Sequence, residues 1–291
     1  MVPPFPDVEG ELRRALEQSA LTLLYQPVVD LNDATLGGVE AFLRWRHESG
    51  MVTAGQFLPA VHDRELLDAI ADFVFDEAAR QASDWRRRFE TWLFPVSVNV
   101  APTDFDDTLV DRICALRQSY ELAPGALALD ISEPVLLGDV DRHRDLVGAL
   151  KHVGAQIVVD DFGTTHTRAA GSGAPEHERT SDELMLSLVA LEGFPVDVVK
   201  VDRELISRGF ADEREANVIA GIVKLAHLFG FRLLAEGVES GEEADRLRQG
   251  GFDLGQGYYF QRPHGPGHID RLLHDLADAR EAFASAARGE R

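Results

Sequence analysis

The sequence predicts an α/β protein: a closed (β/α)8 barrel of the TIM type whose first strand runs antiparallel to the others. Three observations predict it. Helix-like and strand-like segments alternate from Leu66 onward, as a parallel sheet with helical crossovers requires. The first two strand-like runs are joined by only a few turn residues around Asn32-Asp33, too short a link for a parallel crossover. Eight strands in all, with no Gly-rich phosphate fingerprint after the first of them, favour closure over an open dinucleotide-binding sheet.

The elements follow in order. A helix around Glu9–Ser19 forms an N-terminal arm (residues 1–20). Leu21–Leu31 and Leu36–Trp45 are rich in aromatic and β-branched residues and read as the antiparallel pair. An amphipathic helix over Leu66–Phe89 leads to strand Pro95–Val100, helix Asp106–Tyr120 to strand Leu127–Ser132, and helix Val140–Val153 to strand Gln156–Asp161. Helix Glu183–Leu191 precedes Val196–Val201, helix Glu213–Phe229 precedes Arg232–Glu236, and helix Glu242–Gln249 precedes Leu254–Phe260. The barrel therefore covers residues 21–265. A last helix (residues 266–291), with Leu272, Leu276, Ala279 and Phe283 on one face, closes the chain. Residues 164–182, rich in Thr, Gly, Ala and charge and without apolar period, break the rhythm as an insertion, read as a flap over the site or a partly disordered segment. With about twenty residues ahead of the first strand, no sensory domain is expected before the barrel.

Composition narrows the function. Of 291 residues, 29 are basic and 50 acidic, a net charge of −21, which argues against a nucleic-acid surface. No run is long and apolar enough to span a bilayer and the N-terminus lacks a signal-peptide pattern, so a soluble, cytoplasmic protein is expected. Cys114 is the single cysteine, which excludes an intrachain disulfide or a cysteine metal cluster and reads as a small helix residue facing the core.

The chemistry concentrates at Gln156–Gly163, where a β-branched run ends in two adjacent carboxylates, Asp160 and Asp161. Two like charges at the end of an apolar strand repel and resist desolvation, and a hard divalent cation relieves both problems. The alternative is that Asp161 caps a helix and Asp160 sits in a turn. In a barrel of this kind chemistry sits at the C-terminal strand ends. Gln26, Glu40, Asn99, Asp130, Asp160, Asp161, Lys200, Glu236 and Gln256 each lie near such an end or within a strand. Taken singly each is a solvated turn residue or a snorkelling lysine. Together, five carboxylates with one lysine call for bound cations, and the set suits two hard metals sharing a carboxylate for in-line attack on a phosphate ester. His166 reads as a solvated loop residue, and Arg86-Arg87-Arg88 as a helix C-terminus favouring the dipole.

The run Glu40-Ala41-Phe42-Leu43-Arg44-Trp45 resembles the signature of the EAL domain family, the cyclic-di-GMP phosphodiesterases. The resemblance extends from Tyr25-Gln26-Pro27 through Ser97-Val98-Asn99-Val100, Asp160-Asp161-Phe162-Gly163, Val199-Lys200-Val201-Asp202 and Ala235-Glu236-Gly237 to Gly255-Gln256-Gly257-Tyr258. It implies two divalent cations, magnesium or manganese, with Glu40, Asn99, Asp130 and Asp160 as ligands of the first and Asp160 and Asp161 holding the second. It further implies that Lys200 positions a water and offsets transition-state charge, and that Glu40 and Glu236 complete the catalytic set. Gln26, Arg44 and Gln256 are implied as substrate-binding, Glu133 as the anchor of the loop after the paired aspartates, and a homodimer as the assembly. The implied activity is hydrolysis of cyclic-di-GMP to linear pGpG.

Three departures bear on that activity. Phe42 replaces the leucine of the signature and is expected to point into packing. Asp130 stands where the family uses glutamate, and one methylene less withdraws the carboxylate by about 1.5 Å. The family's Gly-Tyr-Ser-Ser after Asp-Asp-Phe-Gly-Thr is replaced by Thr165-His166-Thr167-Arg168, and Lys200 follows Asp161 by 39 residues, beyond the family's habit. These departures leave a second reading, a catalytically weak or inactive member that binds cyclic-di-GMP or a protein. A third is an unrelated metal barrel of the enolase type; the Tyr-Gln-Pro and Gly-Gln-Gly-Tyr segments count against it.

Overall fold

A computed structural model of the chain describes residues 7–89, 94–164 and 179–274. The chain opens with α1 (Val8–Glu17) and three strands, β1 (Leu21–Asp30), β2 (Leu36–His47) and β3 (Gly50–Thr53). After α2 (Ala54–Phe57) come the long α3 (Arg64–Arg88), β4 (Val96–Asn99), α4 (Asp107–Ser119) and β5 (Leu127–Ser132). Next are α5 (Glu133–Gly138), α6 (Val140–His152), β6 (Gln156–Phe162), α7 (Ser181–Leu191) and β7 (Val198–Val201). The final units are α8 (Arg203–Ala211), α9 (Glu213–Phe229), β8 (Arg232–Ala235), α10 (Gly241–Gln249) and β9 (Leu254–Gly255), and residues 266–274 are again helical.

Part of the acidic excess is structural. Asp63, Asp106, Asp139, Asp202 and Asp212 each accept a backbone N–H from the first turn of the helix they precede. Each supplies an acceptor for otherwise unpaired donors and negative charge at the positive end of the helix dipole. Arg86, Arg87 and Arg88 occupy the last turn of α3, as expected, and Arg88 reaches Asp84 and Asp270.

The strands form one sheet in the order β1-β9-β8-β7-β6-β5-β4-β2-β3, and β1 pairs back to β2. With β3 appended outside, eight strands make a closed ring. β1 is antiparallel to both β2 and β9, while β2 and β4 to β9 run parallel. The predicted barrel with an antiparallel first strand is the observed fold.

Strand periodicity then places the site. Residues Leu127, Leu129 and Ile131, Ile157 and Val159, and Val199 and Val201 pack outward against the helices in the main core. The alternate positions Val28, Ala128, Val158, Val198, Leu234 and Leu254 form a separate apolar cluster inside the ring. Because side chains alternate with period two, the next inward position on each parallel strand is two residues further on. Those positions are Asp130, Asp160, Lys200, Glu236 and Gln256, and on the antiparallel β1 the corresponding position, two residues back, is Gln26. An apolar floor thus carries a polar layer at the C-terminal mouth.

Several expected boundaries differ. β9 ends at Gly255, not Phe260; just beyond it Gly257 is pressed against the backbone of Val238, where an added Cβ would collide. β3, α2, α5 and α8 were not anticipated: each is short, and α5 begins at Glu133-Pro134, directly after β5. Cys114 is half-buried on α4 rather than in the core. The insertion's last residues are ordered, since Arg179 is buried and Thr180 forms a capping box with Glu183 at the start of α7. Residues 165–178 of the insertion, including His166, lie outside the described residues, as do Leu276, Ala279 and Phe283 of the predicted last helix. No helix among the described residues is long and apolar enough to cross a membrane.

Candidate active site

The mouth of the barrel holds a cavity of about 410 Å3. Glu40, Asn99, Asp160, Asp161, Glu236 and Gln256 are among the residues that line it. Adjacent residues of a regular strand face opposite sides, so Asp160 and Asp161 could not both reach this wall from an unbroken β6. The β6–β7 register shifts between Val159 and Phe162, and Asp161 adopts a left-handed backbone with φ 60°. This bulge turns both carboxylates toward the cavity. Aspartate is one of the few residues that accept this conformation readily. The alternative reading, a capping Asp161, does not hold: Asp161 sits inside β6.

Lys200 is the hub. Its Nζ lies 2.9 Å from Glu40 Oε2 and from Asp130 Oδ2, and 3.3 Å from Asp160 Oδ1 and Glu236 Oε1. Glu40 is also held by two amides: Asn99 Nδ2 donates to Oε1 at 2.9 Å and Gln256 Nε2 to Oε2 at 3.0 Å. Gln256 in turn donates to Gln26 Oε1 at 3.3 Å, and Gln26 donates to the carbonyl of Gln261 at 2.8 Å. The amides therefore fix Glu40's orientation before any ligand arrives.

The charge balance at the mouth is negative and poorly solvated. Burial pushes Glu236 up to about 8, and Asp160 and Glu40 add to the shift against the pull of Lys200. Burial likewise raises Asp161, with Asp160 beside it contributing, and lifts Asp130 to about 7. Burial works against the Lys200 ammonium, yet Asp130, Glu40, Asp160 and Glu236 together hold its pKa well above the ordinary lysine range.

The expected site residues do not all stand on this wall. Gln26, Glu40, Asn99, Asp160, Asp161, Lys200, Glu236 and Gln256 come together as anticipated in one layer. Asp130 is buried beneath Lys200 and is not part of the lining; its Oδ1 accepts from the Ser97 hydroxyl. Arg44 lines a neighbouring cavity of about 330 Å3, donates to the carbonyl of Leu43 at 2.9 Å, and stands over the Phe42 ring at 5.4 Å. Phe42, expected in packing, is only half-buried and lines both cavities, because its inward position on β2 lies beyond Glu40, where the barrel opens. Glu133 lies off the mouth, paired with Arg179. Sequence reasoning assigned no site role to Ser97, Arg179, Arg203, Glu239 and Tyr258, and placed Phe42 in packing. Ser97 could have been found, since it lies two residues before Asn99 and so on the same face of β4; Arg179 carries no local signal.

The donors facing the cavity are carboxylates and three amides, Gln26, Asn99 and Gln256, a hard-oxygen set that fits magnesium or manganese and not softer ions. Among the described residues no three acidic, histidine or cysteine side chains are placed to hold a metal ion together; instead Glu40, Asp130, Asp160 and Glu236 each direct an oxygen at Lys200. The excess of carboxylates over the single Lys200 ammonium is what a divalent cation would neutralise, so the residues fit the group.

A closed barrel with one antiparallel strand and an acidic, lysine-centred mouth defines the class, an α/β barrel with its polar site at the C-terminal strand ends. The chain belongs to the EAL domain family, whose family model matches residues 9–171 and 182–263. The bifunctional diguanylate cyclase/cyclic di-GMP phosphodiesterase MucR of Pseudomonas aeruginosa is 32% identical over 256 residues, covering 87% of this chain and 34% of the relative. The cyclic di-GMP phosphodiesterase NbdA of the same organism is 30% identical over 258 residues, covering 88% of this chain and 30% of its own length. The chain thus spans about a third of the length of these relatives. The solved PaMucR phosphodiesterase in complex with c-di-GMP superposes with a TM-score of 0.77 at 30% identity, covering 90% of this chain and 99% of that one.

Proposed function

We propose that the chain hydrolyses cyclic-di-GMP to linear pGpG with the help of magnesium or manganese ions. The observation that carries this reading is Lys200 ringed by Glu40, Asp130, Asp160 and Glu236 at the edge of a cavity into which the β6 bulge turns both Asp160 and Asp161. Glu40, Asn99, Asp160 and Asp161 would hold the cations. When bound, these supply positive charge for the phosphodiester and acidify the attacking water.

The chain's own residues supply the rest. Glu236 borders the cavity and takes up a proton near neutral pH, as a base for the attacking water must. Water adds to phosphorus, the bond to the 3′ oxygen breaks, and that oxygen leaves as the 3′ hydroxyl of pGpG after taking a proton from solvent. Lys200 offsets the negative charge that grows on the phosphoryl oxygens. Gln26 and Gln256 present amides to the substrate, Arg44 offers a guanidinium fork from the neighbouring cavity, and Phe42 and Tyr258 offer flat faces for guanine. The proposed assembly is a homodimer; exposed Leu186 and Val189 of α7 and Leu228 of α9, on helices that pack together, support it, and light scattering tests it.

The retreat of Asp130 from the cavity wall favours a second reading, a receptor that binds cyclic-di-GMP without turning it over. One experiment separates the two. Purified protein is incubated with cyclic-di-GMP and manganese or magnesium, and the nucleotides are resolved by chromatography. Appearance of pGpG, lost in Glu40→Ala, supports the enzyme; saturable binding without product supports the receptor; neither defeats both.

A further inference from the structure

Asp130 is an acidic residue of the mouth that the cavity does not touch. Its side chain is fully enclosed: Oδ1 accepts a hydrogen bond, while Oδ2 lies within ion-pair distance of Lys200 without completing a hydrogen bond. Oδ1 takes the hydroxyl of Ser97, itself buried, and Oδ2 lies 2.9 Å from Lys200 Nζ. The register explains the depth. Asp130 pairs with Val158, a member of the apolar floor, whereas Asp160 stands one inward position higher on the neighbouring strand. The short aspartate side chain cannot make up that step, as a glutamate's extra methylene would in part.

We propose that Asp130, oriented by Ser97, is a positioning residue for Lys200 and not a ligand of the divalent cations. The inference rests on the phosphodiesterase reading for its purpose, though not for its geometry. An ammonium has three N–H donors. Asp130 from below and Glu40 from the side make the two short contacts, and the longer ones go to Asp160 and Glu236 on the cavity side. The hydrogen bond goes to Glu40, and the side of the ammonium nearest the cavity faces Asp160 and Glu236, which line it. A carboxylate beneath the lysine also compensates the burial of its charge, so the ammonium stays in place when other groups engage Asp160 and Glu236.

Two measurements test this. Manganese binding by calorimetry compares Asp130→Asn with Asp160→Asn: the first changes affinity by less than about 3-fold, and the second weakens it by at least about 10-fold. Independently, in metal-free protein, lysine-selective 15N labelling reads the side-chain signals of just three lysines, Lys151, Lys200 and Lys224. Asp130→Asn and Ser97→Ala shift the Lys200 signal and speed its hydrogen exchange, while leaving the other two in place. With cyclic-di-GMP, Ser97→Ala lowers kcat more than it raises KM, and Ser97→Thr, which restores the hydroxyl, recovers it. Asp130→Asn weakening manganese as much as Asp160→Asn makes Asp130 a ligand and overturns the proposal. An unmoved Lys200 signal overturns it as well. If wild-type protein binds no manganese and yields no pGpG, the phosphodiesterase reading fails, and the lysine spectrum alone decides whether Asp130 positions Lys200.

Discussion

Arg179 meets Glu133 through a two-pronged ion pair, both contacts 2.8 Å long and both side chains buried. Glu133 directly follows Ser132, which is in register with Asp160, and Arg179 directly precedes the Thr180 cap of α7. Arg179 also donates to Ser187 on that helix. The pair therefore fastens the chain returning from Asp161 to the strand end beside it. Arg179→Ala leaves a buried carboxylate without a partner and lowers stability by about 3–5 kcal/mol. Replacing both residues by methionine returns most of that loss, because no charge is then stranded. Urea denaturation of the three proteins measures both effects; an Arg179→Ala curve overlying wild type would show that the pair is not held in solution.

Glu40 accepts from Lys200, Asn99 and Gln256, so its removal strips three donors of their common acceptor. Glu40→Ala is expected to lower pGpG formation by at least about 100-fold while the protein remains folded. Circular dichroism and product chromatography on the same sample check this; persistence of more than a tenth of the activity would remove Glu40 from the catalytic set.

The pH dependence of stability follows from Glu236. Its ordinary value is 4.5 and its folded value is about 8, so between the two the folded protein keeps a proton that the unfolded chain has released. Stability therefore falls as pH rises through that window. Asp130, lifted to about 7, acts in the same direction. Metal-free protein should melt at progressively lower temperature from about pH 5 to about pH 8, and Glu236→Gln should flatten the slope. A melting temperature that rises across this range contradicts the assignment.

Phe42 forms part of the wall of both cavities, where a leucine would present less flat surface. Stacking of a base on an aromatic ring contributes about 1–3 kcal/mol, so Phe42→Ala should weaken cyclic-di-GMP binding by about tenfold or more, with Phe42→Leu in between. Titration in the presence of calcium or chelator separates affinity from turnover. Equal affinities across the three proteins would make Phe42 a structural wall only.

The barrel and most of its site were legible in the sequence because both depend on local rules. The two-residue period that makes Val158 and Val198 inward-facing makes Asp160 and Lys200 inward-facing too. The short link between β1 and β2 leaves only an antiparallel pairing. Glu213–Phe229 was recovered residue for residue, since its cap Asp212 and the left-handed Gly230 that ends it are local signals. Short elements such as α8, packed against α9, lack enough residues to show a period.

By itself, then, the sequence determined the alternation of elements, the antiparallel start and the polar layer at the strand ends, since each follows from neighbours along the chain. The tertiary structure decided what no local pattern encodes. The bulge that turns both Asp160 and Asp161 to one face depends on the β6–β7 register. Whether Asp130 meets the cavity or Lys200 depends on the offset between β5 and β6 and on the length of one side chain. The partner of Glu133 lies 46 residues away at the end of a segment with no apolar period, and only folding brings it close. Contacts set by strand offset and long-range closure belong to the fold as a whole, and a sequence read residue by residue does not hold them.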